Sequence, residues 1–147
     1  MRDGKKENAT PALQLDFLSH GTLESRDLAA SRKFYEEFLG LTVVEMSPIA
    51  LCLRLGGNHT LVVVKTNHEH TMPFVNHNGL DVSTPERVDA CYRTVMEQKD
   101  AWGLRKITRP KEQHKSYSFY FWDADENCWE ILANPPNGYA HLFPSAD

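Results

Sequence analysis

The 147-residue sequence predicts an α+β fold: two βαβββ modules forming an open, cupped mixed β-sheet barrel with flanking helices. Three observations point to it. The order strand, helix, three short β-rich runs occurs twice, which marks an internal repeat. Each copy has a histidine in its first strand, seven residues before a helix cap: His20 before Asp27, and His77 before Thr84. Helix-period and strand-period segments alternate, with turn residues between them.

The elements follow in order. Residues 1–14 form a polar tail. "LDFLSHGTLE" (15–24) reads as a strand. Asp27 caps a helix that carries Leu28, Ser31, Phe34, Tyr35, Phe38 and Leu39 at helical spacing and stops at Gly40. "LTVVEM", "ALCLRL" and "TLVVVK" are three β-rich runs separated by Pro48 and by Gly56-Gly57-Asn58. The first module thus covers 15–65. Residues 66–74 break the pattern as a linker, in which His68 and His70 read as solvated. The second module, 75–133, opens with "VNHNGLDV". Thr84, Pro85 and Glu86 then start a helix in "STPERVDACYRTVMEQ" with Val88, Cys91, Tyr92, Val95 and Met96 on its apolar face. "LRKIT", "SYSFYFW" and "CWEILA" are its three strands. The whole is one domain, 15–135, followed by a tail, 136–147, whose Tyr139, His141 and Phe143 could cover a cleft or meet a partner subunit.

Composition bounds the function. Hydrophobic residues make up 41% and charged residues 24%, as in ordinary globular domains. The net charge of −4, with no basic stripe, argues against nucleic acid, whose phosphates are held by clustered Lys and Arg. No apolar run reaches the ~20 residues of a membrane span. The N-terminus lacks the apolar stretch of a secretory signal. The three cysteines, Cys52, Cys91 and Cys128, form no CxxC and read as free, buried thiols. A cytoplasmic protein is expected.

The residues also suggest a metal centre. Side chains alternate along strands, so His20 shares a face with Leu18 and Thr22, and His77 with Val75 and Gly79. Glu130 lies in "CWEIL" on the face of Cys128 and Leu132. A carboxylate there needs a partner to be buried, and a cation would be one. Two imidazoles and a carboxylate form the triad that holds Fe(II) and leaves positions open for substrate.

The chain resembles the vicinal oxygen chelate superfamily, which includes glyoxalases, fosfomycin- and bleomycin-resistance proteins and extradiol ring-cleaving dioxygenases. The resemblance lies in "HGTLESRDLAASRKFYEEFLGL", "HNGLDV" and "FYFWDADENCWEIL", and extends from about Leu15 to Ala133. It implies that His20, His77 and Glu130 are the metal ligands. A glyoxalase-like fourth ligand would fall in "TLVVVK", which offers none, with His59 just before it. "HKSYSFYFWDADENCWE" further resembles the extradiol signature, departing from it at Ala124 and Glu126. That resemblance implies catalytic roles for His114, toward substrate or oxygen, and for Tyr120, as a donor to a substrate oxygen. The expected protein is an Fe(2+)-dependent ring-cleaving dioxygenase, with Mn(2+) or Zn(2+) as alternative ions. Its expected partners are a small catechol-like aromatic substrate, dioxygen and a second copy in a homodimer. In some members of the superfamily the modules are swapped, so that His20 would come from one chain and His77 with Glu130 from the other. The alternatives are a glyoxalase- or fosfomycin-type transferase or isomerase, with Arg105, Lys106, Arg109 and Lys111 as candidate cations, and a metal-free protein that binds aromatic drugs.

Overall fold

The computed structural model describes residues 10–113, 115–134 and 138–144. Its architecture is the duplicated βαβββ that the sequence predicts, in two four-stranded mixed sheets that do not close into a barrel. The first module contains β1 (His20–Ser25), α1 (Leu28–Lys33), β2 (Thr42–Ser47), β3 (Ala50–Arg54) and β4 (Thr60–Lys65). The second contains β5 (Asn78–Val82), α2 (Pro85–Trp102), β6 (Lys111–Gln113), β7 (Ser116–Trp122) and β8 (Cys128–Ala133). The sheet orders are β1-β4-β3-β2 and β5-β8-β7-β6. In each, the helical crossover returns the chain to the far edge, and a three-stranded meander brings the last strand back parallel to the first.

The helix starts follow from local chemistry. Asp27 Oδ1 accepts from Ala30 N at 3.1 Å, and Thr84 Oγ1 accepts from Arg87 N at 3.2 Å. Each fills a donor that a helix N-terminus leaves without an intrahelical partner. Replacing Asp27 with alanine is expected to lower stability by about 1 kcal/mol in denaturant unfolding. After Lys33 the helix widens into a π-helical turn, Phe34–Phe38, before Gly40 at φ 72°. In this wider turn Phe34 and Phe38 stack at 5.4 Å, and Phe38 lies 5.7 Å from Trp102 of α2. α2 runs to Trp102, one turn past the expected end, and stops at Gly103 in the left-handed conformation.

Three further boundaries differ from the sequence reading. β1 begins at His20, not at Leu15, and Leu15, Phe17 and Leu18 lie 80%, 80% and 95% exposed. "LRKIT" is not a strand: Lys106 sits at φ 51°, which breaks an extended run, and only Arg105 bridges to Trp122. The edge strand is instead β6, on the far side of Pro110. The linker holds a single 3-10 turn, Phe74–Asn76, which ends at His77.

One apolar core joins the inner sides of both modules. Leu23, Leu51, Leu53 and Val63 pack with Phe119, Phe121, Trp129 and Ile131, and Tyr35 meets Trp129 edge-on at 6.1 Å. The acidic turn between β7 and β8 ties the modules together. Asn127 exchanges two hydrogen bonds with the backbone of Glu24, donating one through Nδ2 at 2.8 Å. Asp125 accepts from Arg26 N at 3.0 Å and from Ser31 Oγ at 2.7 Å. All three cysteines are free; Cys128 is buried, while Cys52 and Cys91 are half-buried.

Candidate metal centre

The site is built on β8, the strand between β5 and β7. Alternation sends Trp129 and Ile131 into the core and leaves Glu130 on the opposite face. Neighbours on both sides bury Glu130 to 7% exposure. Gly79 of β5 and Tyr120 of β7 stand directly beside it in register. His77 enters from the end of the 3-10 turn, and its Nε2 lies 3.4 Å from Glu130 Oε1. Its other nitrogen, Nδ1, stands 2.7 Å from the carbonyl oxygen of Phe74. A carbonyl only accepts, so Nδ1 carries the proton and Nε2 is left free as a ligand.

Tyr120 completes this corner. Its ring meets His77 edge-on at 4.9 Å and Phe74 at 4.5 Å. Burial pushes its hydroxyl well above the usual tyrosine range, and the bond to Glu130 and that group's charge push it further. Tyr120 therefore stays protonated and is a standing donor. Cys128, on the same face, is pushed up to about 12 by burial and by the charges of Asp123 and Glu130, so it remains a thiol.

His77 and Glu130 also line a cleft of about 660 Å³ whose other wall comes from the first module, including Arg54, Leu55, Gly56 and His59. Arg54 has no ion-pair partner among the described residues. Tyr139 of the tail lines the cleft too, one of the two outcomes read from the sequence.

The sequence-predicted residues are thus distributed unevenly. His77, Glu130 and Tyr120 come together. His20 is exposed, with Nδ1 2.8 Å from Ser19 Oγ, and pairs with Thr60 across β1 and β4. No group of three or more His, Cys, Asp or Glu side chains among the described residues is arranged to hold an ion, so one chain does not join His20 to the other two. His114 lies outside the described residues. The basic group read as a phosphonate site is partly committed elsewhere: Arg105 pairs with Glu126 at 2.9 Å, and Lys106 lies 5.3 Å over the Trp122 ring. Of the two linker histidines expected to be solvated, His68 is, at 68% side-chain exposure, and His70 is not, at 19%; their nitrogens stand 2.9 and 3.0 Å from the Glu24 carboxylate and tie the linker to β1. Phe74 and Arg54 were not singled out from the sequence. The linker pattern hid the first, and a strand-end arginine carries no signal of its own.

The pair passes a simple test for a shared ion. Two ligands at about 2.1 Å from one cation, roughly at right angles, stand about 3 Å apart. The His77–Glu130 separation of 3.4 Å is close to that, and Nε2 is the nitrogen left free.

Comparison with known proteins agrees with the fold. The profile of the Glyoxalase/Bleomycin resistance protein/Dioxygenase superfamily matches residues 18–131. No protein of curated function matches the sequence. Among solved structures, a possible glyoxalase from Bacillus cereus is 24% identical, with 80% of this chain and 98% of that chain covered and a TM-score of 0.64. A variant of the fosfomycin resistance protein FosX from Listeria monocytogenes, complexed with Mn(II) and 1S,2S-dihydroxypropylphosphonic acid, is 19% identical over 88% and 100%, at 0.64. The oxidase ChaP-H2 is 20% identical over 85% and 98%, at 0.62. At these identities the likeness concerns the fold, whereas the profile match covers most of the sequence: the chain belongs to the glyoxalase/bleomycin resistance protein/dioxygenase superfamily.

Proposed function

We propose that the protein is a metal-dependent ring-cleaving dioxygenase of the extradiol type, acting on a catechol-like substrate with dioxygen. The observation that carries this reading is the His77–Glu130 pair, 3.4 Å apart and walled by the rings of Tyr120 and Phe74. Fe(2+) is the proposed ion, held by His77 Nε2, Glu130 and His20. When bound, the ion supplies Lewis acidity that lowers the pKa of a chelated hydroxyl and holds substrate beside dioxygen. The chain's own residues do the rest. The Phe74 carbonyl fixes the His77 tautomer. Tyr120, kept protonated, is placed to donate to a substrate oxygen at the Glu130 side of the site. His114 is assigned proton exchange with substrate.

His20 is proposed to come from a second copy of the chain in a homodimer. Its exposure supports this, as does the apolar, 80–95% exposed run Leu15, Phe17 and Leu18 that leads to it. A mixing experiment tests the assignment. His20→Ala and Glu130→Ala proteins are each expected to lose bound iron. Co-refolded in equal amounts, they are expected to regain about one quarter of the wild-type sites, because half the dimers are mixed and each of those holds one intact trio. A site made within one chain would regain none.

Anaerobic Fe(II) loading, metal analysis and a catechol panel with oxygen uptake test the activity. A coloured ring-fission product with stoichiometric oxygen consumption is the expected result. Bound metal with no oxygen uptake would favour the second reading, a glyoxalase- or fosfomycin-type transferase or isomerase. The uncommitted Arg54 on the cleft wall, a partner for an anionic substrate, is the observation on its side. A protein that binds aromatic drugs but no metal would overturn both.

A further inference from the structure

Phe74 lies in a segment that the fold holds with unusual firmness for a linker. Just before it, Met72 N donates to the Glu126 carbonyl at 2.9 Å, and Met72 O accepts from Trp122 Nε1 at 3.0 Å. Pro73, at φ −60°, opens the 3-10 turn, and Asn76 N closes it on Pro73 O at 2.9 Å. Just after it, His77 returns both its backbone N–H and its Nδ1–H to the Phe74 carbonyl. The ring is therefore fixed on both sides. It lies 4.5 Å from the Tyr120 ring and 5.5 Å from that of His77.

Although so held, the residue is 47% exposed. A phenylalanine serving only to fill the core would have both faces covered, as Phe119 and Phe121 do at 0% exposure. Phe74 instead sets its ring against the proposed ligand and donor and still leaves about half of the residue uncovered. An aromatic face carries a negative quadrupole and a flat apolar area, and it favours offset or edge-on contact with another ring.

Building on the metal reading above, we propose that Phe74 is a specificity-determining wall of the site. Its open surface takes the ring of a planar aromatic chelator, so the site prefers aromatic over aliphatic oxygen chelators. The preference resides in this side chain, whereas the tautomer of His77 is set by the backbone carbonyl of the same residue. The two roles can be separated, because a side-chain substitution retains the carbonyl.

The test uses the full-length protein loaded with Zn(II), and reads binding rather than turnover. Phe74→Ala, Phe74→Leu and Phe74→Tyr proteins are titrated with 4-nitrocatechol, followed by its visible absorbance, and with acetohydroxamate by calorimetry. An aromatic pair contributes about 0.5–1.5 kcal/mol, so Phe74→Ala is expected to weaken 4-nitrocatechol by roughly 2- to 13-fold. Acetohydroxamate and zinc affinities are expected to stay unchanged. Phe74→Leu is expected to recover little of the loss, and Phe74→Tyr most of it. Unchanged 4-nitrocatechol binding in all three variants would overturn the proposal, and so would a parallel loss of both chelators. Failure of the unsubstituted protein to retain zinc would overturn the metal reading beneath it. Zinc retention with no chelator discrimination would overturn this inference alone.

Discussion

Glu130→Ala and His77→Ala are each expected to lower Fe(II) or Zn(II) affinity by at least about a hundredfold, since four protein ligands together supply some 10–16 kcal/mol in structural zinc sites. Competition with a coloured chelator measures the loss. Glu130→Gln separates charge from shape: it keeps the cross-strand place beside Tyr120 but removes the anion, and is expected to fall with Glu130→Ala. In Glu130→Ala the hydroxyl of Tyr120 loses both the bond and the charge that hold its pKa up, and in Glu130→Gln it loses the charge while the amide oxygen can still accept. Burial remains the largest cause of that shift, so Tyr120 is expected to titrate lower than in the parent but still above the usual tyrosine range. Ultraviolet titration of the tyrosinate band follows this directly and requires no metal.

The largest expected loss of stability comes from Asp123, which is 2% exposed and far from any proposed ligand role. Oδ1 accepts from Asp125 N at 2.9 Å and from Asn127 N at 3.0 Å, and Oδ2 accepts from Trp129 Nε1 at 2.9 Å. These bonds shape the turn whose Asp125 and Asn127 grip the first module. Asp123→Ala leaves three donors unpaired, two of them buried, at about 1–3 kcal/mol each, so a loss of roughly 3–5 kcal/mol is expected in urea unfolding. Asp123 also makes stability depend on pH. Burial pushes its carboxyl up to about 7, against the three N–H donors that pull it down. In the unfolded chain an aspartate titrates near 3.9. Between those values the native state binds the extra proton, so this residue's contribution rises as pH falls from about 7 toward 4. The slope is at most about 1.4 kcal/mol per pH unit, and it vanishes above the folded pKa. Asp123→Asn, with one acceptor oxygen, is expected to be less stable than the parent at pH 6 and to lack that component of the slope.

Much of this arrangement could be read from residue patterns, for definite reasons. Asp27, Thr84 and Pro85 announce helix starts because unsatisfied backbone donors there require such residues. The strand period in "CWEIL" separates Glu130 from Trp129 and Ile131 before any coordinates are known. Other features were hidden by physics that a local pattern does not encode. Leu15, Phe17 and Leu18 look like strand residues because an exposed, unpaired apolar stretch has the same composition as a paired strand. "LRKIT" has strand propensity, but Lys106 in the left-handed region and Pro110 move the edge strand downstream. His68 and His70 read as linker polarity, yet Glu24 recruits both across β1, a contact 44–46 positions away along the chain. Phe74 was hidden by the same linker reading, since a 3-10 turn of three residues leaves no periodicity to detect. His20 was legible as a candidate from its matched spacing, but in one chain it stands exposed and apart from His77 and Glu130, a separation that spacing along the sequence does not encode.

The central claim is that His77 and Glu130 hold one cation together with His20 of a second copy. An X-ray structure of crystals grown with stoichiometric Zn(II), with anomalous data collected on both sides of the zinc edge, tests it most directly. The account predicts one strong peak per site, about 2.1 Å from His77 Nε2, Glu130 and the partner's His20. A peak bound only by other residues, or no peak between His77 and Glu130, would contradict it.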